Sequence, residues 1–497
     1  MESINFHRSG RALIAGICMA AMVCAAVAGG WLNGEARTPR SAAEGALEER
    51  SKPGRLDVMV MAGALGLPGM ARAVREPGGS SFGKVEGTVA FRITDVPRNA
   101  LRALSRGDAG IVLIPADALA LYRIDFASCN PVAFMCAGWS RGAHAIAWAK
   151  SRERLSSMKG QRIACARGSS GHFMMLHLLK TQGINPDDMQ WDFTVSPRDA
   201  AALFARGRSD LCAGEYTSVA RAVGTRAGSS IVLTTMDADS LIPWVFVTRE
   251  SFLLQNRERL AAFAGAWIAE SAAAAANPDP AAEVLGGLCR QEAGEAKESI
   301  ARVKFAGIED NRRACAAGHG GGLCVMEVLE LASGLWEHQL RPRATMPVST
   351  ILNPGIVNQL TAQPGDVPRE LPAAPQNPEA DGAPFLLVSA PLHIEFSPKS
   401  TRLSGEARAG LRDLANAARV YGRARVLVCA RGEGEDERWL NTAQARSAEI
   451  ARVLTAEFGV PRDRVAGGRD CALIGEDPPR IARRADAALV LPRDRNQ

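Results

Sequence analysis

LSSMKGQRIACARGSSGHFMMLHLLKTQGINPDDMQ, residues 155–190, holds a strand, a turn and a helix in close succession. RIACA (Arg162–Ala166) is a short apolar strand, and HFMMLHLLK (172–180) is an apolar helical run. Between them Ser169, Ser170 and Gly171 break the chain with small residues. A strand passing through such a turn into a helix is the unit of an α/β domain. The turn has two readings. A serine oxygen can cap the helix by accepting one of its first N–H groups, or the free N–H groups can hold an anionic or polar ligand.

The same alternation runs upstream. LDVMVMAG (56–63) is a strand that ends at Gly63 in a glycine- and proline-rich turn. TVAFRI (88–93) is a second strand, followed by a helix over 96–104 and a Gly107-Asp108-Ala109-Gly110 turn. That turn leads into IVLIPADALA (111–120), read as a third strand with Asp117 beyond its core. Downstream, RDAAALFARGRSDLCAGEYTS (198–218) gives another helix, strand and turn, with Glu215 and Tyr216 in the turn.

The order of these weak signals over 56–361 resembles a periplasmic solute-binding protein of the nitrate/taurine/thiamine-precursor class. PVAFMCAGWSRGAHAIAWAK (131–150) is similar to that family's crossover strands, and residues 230–285 to its return strand and closing helices. The resemblance implies a two-lobed fold that closes on a hinge around a small solute. It places candidate ligand contacts at strand ends and helix starts: Gly63, Asp117, Trp139, Ser140, Arg141, Ser169, Ser170, Gly171, Glu215 and Tyr216. Trp139 can equally be a packed hinge aromatic, and Glu215 a residue of a surface turn.

LHIEFSPKSTRLSGEARAGLRDLANAARVYGRARVLVCARGEGEDERWLNTAQARSAEIARVLTAEFGVPRDRV (392–465) reads as strand, helix, strand, helix, strand. Leu403, Ala407, Leu411, Leu414 and Ala418 recur at helical spacing. Phe396, Arg446-Ser447-Ala448 and Gly459-Val460 followed by Arg464-Val465 are similar to an OmpA-like peptidoglycan-binding domain, a small α/β sandwich. The resemblance makes Arg446 a wall ligand. The acidic partner the family uses for the two charged ends of diaminopimelate falls on Arg431, with Glu433, Glu435 and Asp436 as substitutes in the same loop. Neighbouring strands in that fold also imply a Cys429–Cys471 disulfide.

Arg8 and Arg11 precede an uncharged run, 12–31, which reads as an export signal. Ala26-Val27-Ala28 suits cleavage, while the run also has the ~20-residue length of a membrane anchor. The organisation expected is then leader (1–31), spacer (32–55), solute-binding domain (56–361), Pro-rich linker (362–384) and OmpA-like domain (385–497). Its place is the periplasm or cell envelope.

A chain of 497 residues at 47% hydrophobic holds two or three domains. Its net charge of +6 is spread without a basic tract, which argues against nucleic acid. Of 11 cysteines, Cys18 and Cys24 lie in the leader. Cys129, Cys136, Cys165, Cys212, Cys289, Cys315 and Cys324 are an odd set that cannot all pair with one another. The seven histidines form no HExxH pair, so a metal hydrolase has no support. Cys289, Cys315, His319 and Cys324 carry zinc-type donors at non-standard spacing within a glycine-rich loop. No cofactor and no enzymatic activity are expected. The expected partners are a small-molecule solute, an ABC permease or sensor, peptidoglycan, and the membrane through an uncleaved leader. A structural scaffold whose cleft has lost its ligand is the alternative.

Overall fold

Ten consecutive buried residues, PVAFMCAGWS, form an interior strand of the first sheet. A strand apolar on both faces belongs in the interior of a sheet covered on both sides. In a computed structural model, residues 54–63, 66, 68–76, 79–150, 155–289, 292–315, 322–340, 350–360, 385–430, 437–467 and 484–492 are described. The leader, the linker over 362–384, Arg431, Glu433, Glu435, Asp436, His319 and Cys471 lie outside them, as do the side chains of Cys289 and Cys315.

In the first sheet β1 (Arg55–Met61) pairs in parallel with β2 (Thr88–Thr94) and β3 (Ile111–Pro115). The buried strand, β4 (Pro131–Ser140), is antiparallel to β10 (Pro243–Arg249) and β11 (Val303–Phe305). The order is β11-β4-β10-β3-β1-β2. The run 111–120, read as one strand, splits: the strand stops at Pro115 and a helix, Ala116–Tyr122, begins at once. Pro115 has the extended backbone of a cap residue, and the alanines and leucines after it favour helix.

The second sheet joins β5 (His144–Trp148), β6 (Arg162–Ala166), β7 (Gln190–Thr194), β8 (Leu211–Glu215) and β9 (Ser230–Thr234) in the order β7-β6-β8-β5-β9. The chain enters this lobe between β4 and β5 and leaves it between β9 and β10. Two short crossings therefore form the hinge. The Ser170–Thr181 helix is buried from Ser170 through Leu179. A helix buried on every side needs cover beyond its own sheet. The Val325–Leu340 helix supplies part of that cover through Trp336, whose ring lies 5.9 Å from that of Phe173.

A third sheet is built from β12 (Phe385–Leu387), β13 (Leu392–Glu395), β14 (Arg425–Ala430), β15 (Val465–Gly467) and β16 (Arg484–Pro492). β16 runs antiparallel to β12, β13 and β14, and β14 is parallel to β15. The Gly405–Val420 and Glu437–Arg452 helices complete this part, and Leu403, Ala407, Leu411, Leu414 and Ala418 are buried as their spacing predicts. Residues from Ser51 to Gln497 form one compact unit. The sequence reads as a wall domain held apart by a spacer, whereas the third sheet and its helices pack against the lobes. Among the described residues no helix is long and apolar enough to cross a membrane.

Candidate functional site

Three groups of sequence-predicted residues converge where the two lobes face each other. The first is the contact between Asp117 and Ser170. Asp117 is fully buried in the first turn of the Ala116–Tyr122 helix. Ser170 Oγ donates to it, lying 3.1 Å from each carboxylate oxygen. Burial pushes the Asp117 carboxyl up to about 7, with the Ser170 hydrogen bond opposing the rise. Trp336 donates its indole N–H to the Asp117 carbonyl at 2.9 Å. Gly168 (φ +72°) lies against the other lobe as well: a Cβ there would stand 2.9 Å from the Tyr122 hydroxyl. Only glycine suits both that backbone and that approach.

The turn after β6 is occupied by its own capping bonds. Ser169 Oγ accepts from the His172 N–H at 3.2 Å and donates to the Ala166 carbonyl at 2.8 Å. The Gly168 N–H donates to His172 Nδ1, and the Ser169 and Phe173 N–H groups reach backbone carbonyls. Gly171 brings the helix onto β8, where an added Cβ would lie 2.8 Å from Gly214 Cα. Because backbone opposes backbone there, Gly171→Ala is expected to cost about 2–3 kcal/mol. Chemical denaturation of the variant measures it.

Glu215, at the end of β8, is exposed to solvent yet walled by protein, the setting of a side chain in a cleft. Crowding by protein raises its carboxyl; Arg198 opposes the rise, and Asp95 adds to it. Asp95 follows β2 in the opposite lobe, so a carboxyl group of each lobe contributes to the charge felt at this opening. Ala62 donates to the Thr94 carbonyl at 2.8 Å, which places Gly63 beside Asp95. A Cβ on Gly63 would stand 3.5 Å from the ring of Trp244, whose buried indole N–H has no partner. Tyr216 lies under the Arg302 guanidinium at 3.3 Å, another contact between the lobes.

The third group is the hinge. Ser140 Oγ sits 2.8 Å from His144 Nδ1 and 2.7 Å from Thr235 Oγ1, and Thr235 Oγ1 also accepts from the Gly142 N–H at 2.9 Å. This ties the outgoing crossing to the returning one. Burial lowers His144 to about 4, so it is neutral here. Trp139 is 8% exposed, with Lys304 Nζ 5.0 Å from its ring centre. The Arg141 N–H donates to the Arg302 carbonyl at 2.8 Å.

Arg446 lies apart from the cleft and is fully buried. Its guanidinium is 5.0 Å from the Phe396 ring centre, and its Nε donates to the Ser400 carbonyl at 3.1 Å. Cys429 is buried on β14. Sequence reasoning missed Asp95, Trp244, Thr235, Arg302 and Trp336. Trp244 had a signal, a Pro-Trp pair opening a strand just after the hinge. Arg302 had none, because its partner is far away in the chain.

A crossover hinge joining two α/β lobes is the architecture of a periplasmic binding protein, and comparison agrees. The periplasmic aliphatic sulphonate binding protein SsuA from Escherichia coli superposes with a TM-score of 0.51 at 15% identity, covering 66% of this chain and 99% of that one. The sulfonate-binding protein SsuA from Methylobacillus flagellatus covers 61% of this chain and 92% of its own at 15% identity, with a TM-score of 0.49. The MOPS-bound alkanesulfonate-binding protein SsuA from Xanthomonas axonopodis pv. citri gives 0.47, again at 15% identity, over 61% of this chain and 99% of that one. The Escherichia coli superposition gives the two-lobed part of the chain a periplasmic-binding-protein fold. The family model described as NMT1/THI5 like matches residues 131–281, which run from β4 through the whole second lobe and past the return strand. No curated protein matches the chain.

Proposed function

We propose that the chain is a non-catalytic receptor of the cell envelope. It holds a small polar solute between its lobes and passes it to an ABC-type permease or reports it to a sensor. The observation that carries this reading is the pairing of facing lobes across a hinge with a solvent-reachable, enclosed carboxyl group, Glu215, at the opening. Asp95 raises the cost of leaving Glu215 ionised and unpaired. A solute that presents an N–H, O–H or cationic group there relieves that cost. A solute acceptor would suit the Trp244 indole N–H.

The test is a thermal-shift panel on the full chain that includes amines, hydroxylated heterocycles and alkanesulphonates. One chemical class should raise the melting temperature in a concentration-dependent way. Glu215→Gln should weaken that solute on the order of ten- to a hundredfold, the range for a hydrogen bond to a charged group. A panel without any shift would contradict the reading. The proposal also includes a peptidoglycan contact by the part of the chain beyond residue 385. It is supported by the strand and helix order there, and co-sedimentation of the full chain with purified sacculi tests it.

A further inference from the structure

The third sheet and its helices touch the second lobe, the returning hinge segment and the Val325–Leu340 helix, which itself packs on the Ala116–Tyr122 helix of the first lobe. On the second lobe, the Ala390 N–H donates to the Thr181 carbonyl at 2.7 Å, and Gln182 Nε2 donates to the Leu387 carbonyl at 3.0 Å. The Tyr421 hydroxyl lies 3.3 Å from His177 Nδ1, with both residues buried. On the returning hinge segment, Ser240 Oγ donates to the Arg419 carbonyl at 3.2 Å, and Asp239 lies against Gly422. Arg419 also grips the Val325–Leu340 helix: its guanidinium meets the Glu327 carboxylate at 2.5 and 2.7 Å and the Gly322 carbonyl at 3.0 Å. That helix carries Trp336, which hydrogen-bonds Asp117 of one lobe and packs on Phe173 of the other. The apolar core runs without a break from the lobes through Tyr421 and Leu414.

A single body attached to both sides of a hinge fixes the hinge angle. Opening the cleft must separate Asp117 from Ser170, which swings the Ser170–Thr181 helix away from the Ala116–Tyr122 helix. The first of these helices is held at its far end by Thr181, Gln182 and His177. The second is held through Trp336 and, beyond it, Glu327. Building on the solute-receptor reading, we infer that the C-terminal domain is a clamp on lobe closure. The cleft opens when the Arg419–Glu327 and Tyr421–His177 contacts give way, so whatever engages the C-terminal domain sets how readily the solute enters or leaves. The Ser170–Thr181 helix, buried from Ser170 through Leu179, fits this role, since a surface that apolar requires a standing cover.

Hydrogen–deuterium exchange on the full chain, without added solute, tests the clamp. Arg419→Glu places like charges together in a half-buried bidentate contact. It should speed exchange at 116–122 and 167–173 by about tenfold while amides of β3 and β6 keep the parent rate. Adding Glu327→Arg to that variant should restore slow exchange. Arg408→Ala, which removes an ion pair to Glu457 within the C-terminal domain, should leave both segments unchanged. The clamp is overturned if Arg419→Glu frees 385–390 and 419–424 while 116–122 and 167–173 stay slow. It is equally overturned if exchange accelerates uniformly, β3 and β6 included, and the double variant does not recover. Because no solute enters the experiment, its failure is separate from failure of the solute panel.

Discussion

Asp117→Asn should stabilise the protein at pH 8 by about 4 kcal/mol while leaving it near the parent value at pH 4. The Asp117 carboxyl rises from 3.8 to about 7 on folding because it is enclosed between the lobes. A group raised in the folded state contributes stability that is fully present below its unfolded value and is lost as pH climbs through its folded value. Between pH 3.8 and 7 the unfolded chain ionises at Asp117 and the folded chain does not, so this residue makes stability fall throughout that window. Asparagine keeps the shape and stays neutral, so it removes the loss. The parent should not simply improve in acid, because buried histidines act in the opposite sense. Burial lowers His144 to about 4 and His172 and His177 to about 3. Their contribution is present above the unfolded value of 6.5 and is lost as pH falls toward those folded values. The parent melting temperature should therefore peak near pH 6–7 and decline on both sides, and the variant should lose the alkaline decline. Melting curves from pH 4 to 8.5 check both statements. A pH-independent difference between the two proteins would mean that Asp117 is ionised in the folded state.

Trp336→Ala should cost about 4–5 kcal/mol, the upper part of the range for removing a buried aromatic. Trp336 is fully buried, packs edge-on against His172 at 5.2 Å and meets Phe173 at 5.9 Å. Its indole also satisfies the Asp117 carbonyl, which the variant leaves buried without that donor. Trp336→Phe keeps most of the apolar contact and loses the hydrogen bond, so a loss of about 1–2 kcal/mol is expected. Urea unfolding midpoints of the two variants separate packing from hydrogen bonding. Equal losses for Phe and Ala would assign the whole effect to the indole N–H.

What the sequence made legible was local chemistry. The 162–181 passage was readable because an apolar strand, a capping serine and an apolar helix stand next to one another. Leu403 through Ala418 were readable because one helical face repeats. The 111–120 run was misjudged for the same local reason: strand and helix there are both apolar, and only the backbone at Pro115 separates them. Ser169, for which the turn left both a cap and a ligand contact open, caps the helix, and Gly171 is in close packing against β8. The contacts that join the lobes were not legible, since Asp117 and Ser170, or Tyr216 and Arg302, meet only after the chain has folded through the hinge. The packing of the C-terminal domain left one usable trace. A helix as apolar as Phe173–Leu179 on every face announces a second cover, though nothing in its residues names Tyr421 as that cover.

The central claim, that the cleft holds a solute, is most directly tested by native mass spectrometry of the full chain exported to a periplasm, before and after mild unfolding. The account predicts a discrete excess mass that disappears on unfolding and is reduced in Glu215→Gln. A bare mass in both states, together with a melting temperature that no member of a broad metabolite panel shifts, would contradict it.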